Sequence, residues 1–177
     1  MGINERSLSK IGLWRCNLLI LVVLGTHELP FVRLLDEVER IKSQGLIDDE
    51  VIVQSGHTKY ESEHMTIKPF FTPDQMDILY QQADLIISHA GTGSVINGLK
   101  KGKKVIVAPR LKKYVEHNDD HQLELCQVFS EQGHILCWHD GDRLEKVLER
   151  AKTFKPVPYQ SGNGQIVQIL QDFISGL

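Results

Sequence analysis

A chain of 177 residues with 41% hydrophobic and 24% charged residues can bury one real core and has the make-up of a soluble globular domain. Its net charge of −3 leaves no broad basic excess for a phosphate backbone, so no nucleic-acid partner is expected. Three cysteines, Cys16, Cys126 and Cys137, are an odd number without CxxC spacing. That argues against a disulfide framework or a zinc knuckle and fits a reducing cytosol.

Residues 1–16 carry no periodicity and read as a poorly ordered N-terminal extension ahead of a domain spanning 17–177. The apolar run Leu18–Leu24 is far too short to cross a bilayer and lacks a small-residue cleavage site. It reads as a first strand buried on both faces, ended by Gly25-Thr26-His27. A helix follows with Phe31, Leu34, Leu35, Val38 and Ile41 on one stripe, stopped by Gly45. Val51–Gln54 is a second strand and Met65–Ile67 a short third. After Pro73 comes a helix that turns Met76, Leu79 and Tyr80 inward.

Leu85–Ser88 is a fourth strand, and Lys104–Pro109 a fifth. Between them lie Ser88-His89-Ala90-Gly91-Thr92-Gly93-Ser94 and a helix ended by Gly102. Asp119-Asp120 should cap a helix with Leu123, Leu125, Val128 and Phe129 inward. Ile135–Trp138 is a sixth strand, and a helix with Leu144, Val147 and Leu148 follows. Ile166, Ile169, Leu170 and Phe173 form a last amphipathic helix, a candidate for partner docking or for packing on its own domain. Strands and helices alternating at short intervals predict an α/β fold: a single Rossmann-like domain with a mostly parallel sheet.

In such sheets ligands sit beyond the carboxyl ends of the strands, where this chain collects its glycines, histidines and hydroxyls. A strand that breaks at Ser88 and restarts as a helix near Thr92 leaves unpaired backbone N–H groups suited to a phosphate. No G-x-G-x-x-G follows the first strand and no acidic residue ends the second, which excludes a dinucleotide site of the usual kind. No P-loop is present either. His117 and His121 have metal-like spacing, but no third ligand accompanies them, so neither a metal nor another cofactor is expected.

Ser88 to Ser94, Pro109 and His117-Asn118-Asp119-Asp120-His121-Gln122 together resemble the donor-binding, C-terminal half of GT-B glycosyltransferases. Gly25-Thr26-His27-Glu28-Leu29-Pro30-Phe31, Gln54-Ser55-Gly56 and Pro69-Phe70 narrow the likeness. They resemble the small catalytic subunits of two-chain enzymes that build lipid-linked sugars, including bacterial relatives in capsule and exopolysaccharide synthesis. The resemblance implies a UDP-sugar donor held by Gly25, Thr26, His89, Gly91, Thr92, Gly93 and Ser94. It places Phe71 at the uracil, Asn97 at the ribose (where a related enzyme uses glutamate), and Asp120 and Gln122 at the donor sugar. His27 is the candidate catalytic group on this chain, and Arg110 could face an acidic sugar or pair with Glu116.

A complete GT-B enzyme has two such domains, and this chain supplies one. The resemblance therefore implies a membrane-anchored acceptor-domain subunit, a lipid-linked sugar acceptor, and a general base on that partner for inverting transfer. The chain would be cytoplasmic and recruited to the membrane through the partner. A nucleotide-sugar-binding module without transferase activity is the alternative. A nucleotide-sugar epimerase would need both halves in one chain.

Overall fold

The computed structural model describes residues 18–160. The extension at 1–16 and the last amphipathic helix lie outside the described residues. In chain order the elements are β1 (Leu19–Val23), α1 (Val32–Ser43), β2 (Glu50–Gln54), β3 (Thr66–Lys68), α2 (Pro73–Gln82) and β4 (Leu85–Ser88). Then come α3 (Thr92–Lys100), β5 (Lys104–Val107), a 3-10 turn at Lys112–Tyr114, α4 (His121–Glu131), β6 (Leu136–Cys137) and α5 (Leu144–Thr153). The six strands form one sheet in the order β3-β2-β1-β4-β5-β6, and every pairing is parallel.

Alternation along the strands divides the core in two. Ile20, Val22, Leu24, Val51, Val53, Leu85, Ile87 and Ile106 point to one face. There they meet Leu34, Leu35, Val38 and Ile41 of α1 and Leu144, Val147, Leu148 and Ala151 of α5. Leu21, Val23, Ile86, Val105 and Val107 point to the other, against Leu79 and Tyr80 of α2, Val95 and Leu99 of α3 and Cys126 of α4. Each large side chain buried this way contributes about 1.5–3 kcal/mol, which is why these strands read as unbroken apolar runs.

Two expectations are corrected. In α4 the buried face is Cys126, with Leu125 and Phe129 partly buried, whereas Leu123 and Val128 are exposed. The helix is rotated so that Cys126 faces Cys137 of β6, and the two are joined in a disulfide with Cα atoms 6.1 Å apart. The pair, eleven residues apart in sequence, meets only because α4 packs across β6. Spacing alone carries no sign of it.

The strand order reverses direction at β1 and β4, so the crevice between their carboxyl ends is the sheet's topological switch point. The loops leaving β1 and β4 border it, and the loop after β5 lies alongside.

Candidate functional site

Ser88 closes β4, Ala90 turns the backbone into the left-handed region at φ 59°, and α3 starts at Thr92. A non-glycine residue held there costs about 1–2 kcal/mol, a strain that concentrates at functional sites. Gly91 is the N-cap of α3, and having no side chain it makes no side-chain cap. The first intrahelical bond is Val95 N–H to the Gly91 carbonyl, 3.0 Å. The N–H groups of Thr92, Gly93 and Ser94 thus lack protein acceptors among the described residues. By contrast, α2 is closed by a full capping box between Thr72 and Gln75. The open end of α3 faces a cleft of about 330 Å³ lined by Gly25, Thr26, Gln54, Met76, Tyr80, His89, Gly91, Thr92, Gly93, Ser94 and Asn97.

Glycines give this cleft its shape by what they let approach. Gly25, at φ 74°, and Gly91 flank the His89 ring, and a Cβ on either would fall well inside van der Waals contact with it. His89 Nδ1 lies 3.0 Å from the Val23 carbonyl and donates to it. Burial pushes its pKa down to about 4, so the ring is neutral at physiological pH and pinned beneath the cradle. Gly56, at φ 59°, leaves room for the Gly25 carbonyl, which accepts from Gln54 Nε2 at 3.1 Å.

The neighbouring loops are tied by two arginines. Arg110 is 1% exposed, and its guanidinium donates to the carbonyls of Leu24 (2.8 Å), Leu29 (2.7 Å) and Glu116 (3.1 Å). Burial lowers its pKa to about 10. Arg33 of α1 takes the Glu116 carboxylate in a fork, Nε to Oε1 and Nη2 to Oε2, both 2.9 Å. It also reaches the Pro109 carbonyl at 2.8 Å, over the Trp138 ring. Glu116 Oε2 further accepts the Leu111 N–H at 2.9 Å. The loop after β5 is therefore a fixed shelf. Arg110 does not pair with the Glu116 carboxylate, and its buried guanidinium is occupied by the three carbonyls.

One residue in that shelf is strained. Val115 sits at φ 58°, ψ 31°, and is 67% exposed. A β-branched side chain has no reason to be there except that the loop demands it. Val115→Gly should raise stability by about 1 kcal/mol, lifting the melting temperature by roughly 2–4 °C in a scan.

The structure gathers Gly25, Thr26, His89, Gly91, Thr92, Gly93, Ser94 and Asn97 around one cleft. Phe71 is half-buried against the α2–α4 side of the core, with Lys68 Nζ 5.1 Å from its ring centre, and does not line that cleft. His27 and Asp120 stand on the adjoining loops, and Gln122 in the first turn of α4. Asp120 is the N-cap of α4 but does not cap it. Its Oδ1 accepts the Lys112 N–H at 3.0 Å, and Asp119 instead accepts the His121 N–H at 3.1 Å. Gln122 Oε1 accepts the Arg110 N–H at 2.9 Å, and its amide NH₂ has no acceptor among the described residues. His117 belongs to the loop and His121 opens α4, and the His117 ring lies against that of His27, centres 4.6 Å apart and tilted by 36°. Gln54, Met76 and Tyr80 were not expected at the site. Only Gln54 had a sequence signal, its place in Gln54-Ser55-Gly56 at a strand end.

Residues 19–176 match the family described as the glycosyltransferase family 28 C-terminal domain. The human UDP-N-acetylglucosamine transferase subunit ALG13 is 32% identical over 106 residues, covering 57% of this chain and 9% of that protein. The Yarrowia lipolytica protein of the same name is 28% identical over 198 residues, covering 97% of this chain and 98% of its own. An NMR solution structure of ALG13 superposes with a TM-score of 0.54 at 20% identity, covering 87% of this chain and 94% of that one.

Proposed function

This chain belongs to the glycosyltransferase family 28 C-terminal domain family, and from that premise we propose that it is the donor-binding catalytic subunit of a two-chain UDP-sugar glycosyltransferase. The observation that carries the reading is the open N-terminus of α3. It sits at the switch point of the sheet, its first amides unpaired and its approach cleared by Gly25 and Gly91. A diphosphate fits that end: the amides of Thr92, Gly93 and Ser94 and the hydroxyls of Thr92 and Ser94 donate to it, with Thr26 opposite. As the bond to the sugar breaks, charge grows on the β-phosphate. Fixed donors and the helix dipole stabilise that charge without reorganising.

Asn97, one turn into α3, suits the ribose hydroxyls. The amide of Gln122 and the carboxylate of Asp120 suit hydroxyls of the donor hexose. The backbone at Phe71 is assigned to the uracil edge. The acceptor is a lipid-linked sugar and its docking half lies on a membrane-anchored partner, which also holds the general base. The product is part of a surface polysaccharide, and the chain works at the cytoplasmic face of the membrane. The relatives' name specifies UDP-N-acetylglucosamine, and the donor hexose here is to be found by trial.

The test is a thermal-shift screen of UDP, UMP and UDP-sugars on the full chain, followed by transfer assays with and without a co-expressed membrane partner. UDP at a hundred times its Kd should stabilise by about 2.7 kcal/mol, and UMP should do much less at equal concentration. Transfer should appear only with the partner. UDP that binds without transfer in the presence of the partner favours a nucleotide-sugar sensor, and equal shifts with UMP and UDP refute a diphosphate cradle.

A further inference from the structure

Among the residues of α4 only Cys126 is fully buried, while Leu123 and Val128 on the same helix are exposed. The N-cap, Asp120, makes no side-chain cap. The helix is therefore held to the sheet chiefly at one point, and that point is a covalent bond. The bond runs to Cys137 of β6, a two-residue strand at the edge of the sheet. Both sulfurs also have an acceptor ready for a thiol proton. The Cys126 carbonyl lies 3.2 Å from Cys137 Sγ, and the Val107 carbonyl 3.9 Å from Cys126 Sγ. A dithiol in this place buries no unpaired donor, so the core accommodates the oxidised and the reduced form alike. Inside cells small thiols keep most cysteines reduced, and the disulfides that do form there are chiefly catalytic or regulatory.

We propose that Cys126–Cys137 is a reversible thiol switch, opened by a small cellular thiol of the glutathione type, that sets how firmly α4 holds Asp120 and Gln122 at the donor sugar. This rests on the reading of the chain as a UDP-sugar-binding subunit at the cytoplasmic face of the membrane. The helix reaches the site through its first turn: Gln122 Oε1 accepts the Arg110 N–H, and Asp120 Oδ1 the Lys112 N–H. With the bond closed, α4 is a strut from β6 to the shelf. With it open, the helix keeps only the partly buried Leu125 and Phe129 and the Cys126 thiol against the core. The cradle on α3 stands apart from this, because α3 packs through Val95 and Leu99. Opening is a thiol–disulfide exchange in two steps. The thiolate of one small thiol attacks a sulfur of the pair, forming a mixed disulfide and releasing the other sulfur as a thiolate. A second small thiol attacks the mixed disulfide, which frees the remaining cysteine and yields the small-molecule disulfide. Two electrons and two protons pass from the small thiols to the pair, and the reverse sequence closes it. Since both sulfurs are buried, exchange waits for α4 to lift, an opening that a helix pinned at one point permits.

The test equilibrates the wild-type chain in mixtures of reduced and oxidised glutathione, quenches by alkylation and maps each cysteine by mass spectrometry. Cys126 and Cys137 should pass together from dithiol to disulfide within that range, with Cys16 read separately. Amide exchange across residues 121–131 should be roughly tenfold faster in the reduced form, and unchanged across 92–100. That is less than closing a loop of eleven residues can supply. UDP-N-acetylglucosamine, the probe, should bind roughly threefold to tenfold more weakly when the pair is open, the worth of one hydrogen bond. UDP should bind equally to both forms. Cys126→Ala combined with Cys137→Ala should exchange and bind like the reduced chain in every mixture, and the wild-type titration stands whether or not that variant folds. A pair that stays closed in every mixture, or one that never closes, overturns the proposal. So does equal exchange across α4 in the two forms, or equal affinity for the nucleotide sugar. If neither UDP nor UDP-N-acetylglucosamine binds in either form, the donor-site reading falls instead, and the exchange result judges the switch alone.

Discussion

Glu116→Ala is expected to cost about 3 kcal/mol of stability and to release the loop after β5. The carboxylate is almost wholly buried and closes three bonds at once: two from the Arg33 fork and one from the Leu111 N–H. Its loss strands a buried amide and leaves Arg33 with the Pro109 carbonyl and the Phe31, Tyr114 and Trp138 rings. Urea unfolding reads the stability, and amide exchange across residues 111–122 reads the loop. Because Asp120 and Gln122 ride on that shelf, donor affinity should fall with it even under conditions where the variant is fully folded. Glu116→Gln keeps one acceptor for the fork and should fall between the two. If exchange in the loop is unchanged, the shelf is held by other contacts.

Gly25→Ala should be nearly as costly, also about 3 kcal/mol, and should abolish the diphosphate site outright. Two penalties add. The backbone at φ 74° disfavours any Cβ by roughly 1–2 kcal/mol. The new methyl also drives into the His89 ring, whose hydrogen bond to Val23 must break or whose cradle must open. Gly91→Ala meets the same ring without the left-handed backbone, so it should cost less stability yet harm UDP binding comparably. A thermal scan with and without UDP separates the two quantities for each variant. A Gly25→Ala chain that binds UDP normally would show that His89 can move aside.

The strands were legible because both faces are buried: Leu18–Leu24, Leu85–Ser88 and Lys104–Pro109 stand out as unbroken apolar runs ended by glycine, histidine or proline. The cradle residues were legible for a related reason, since small and hydroxyl residues at a strand-to-helix break have few other uses. What escaped the sequence depends on rotation and on long-range partners. The face of α4 is set by Cys126 meeting Cys137, so Leu123 and Val128, apolar and well spaced, end up outside. Arg110 looks like a free cation beside Pro109, and nothing local says that three carbonyls from two loops will surround it. The approach of the His117 ring to that of His27 joins residues 90 positions apart and carries no local pattern. Asp119 and Asp120 exchange the roles that simple capping assigns, because Lys112 needs an acceptor across the loop.

The order of strands also bears on how the chain reaches this structure. β1 is made first and ends in the middle of the sheet, with Ile20 paired to Val51 on one side and to Leu85 on the other. Sixty-five residues must follow before that second partner exists, and the parallel arrangement permits no hairpin to stand in. The newly made Leu19–Val23 segment therefore waits with an open, wholly apolar edge while the intervening chain is synthesised. Proteins built on such distant pairings fold slowly and expose sticky edges on the way. Of the six described strands, the one that delivers Gly25 and Thr26 to the cleft thus waits through the longest stretch of chain for its second neighbour.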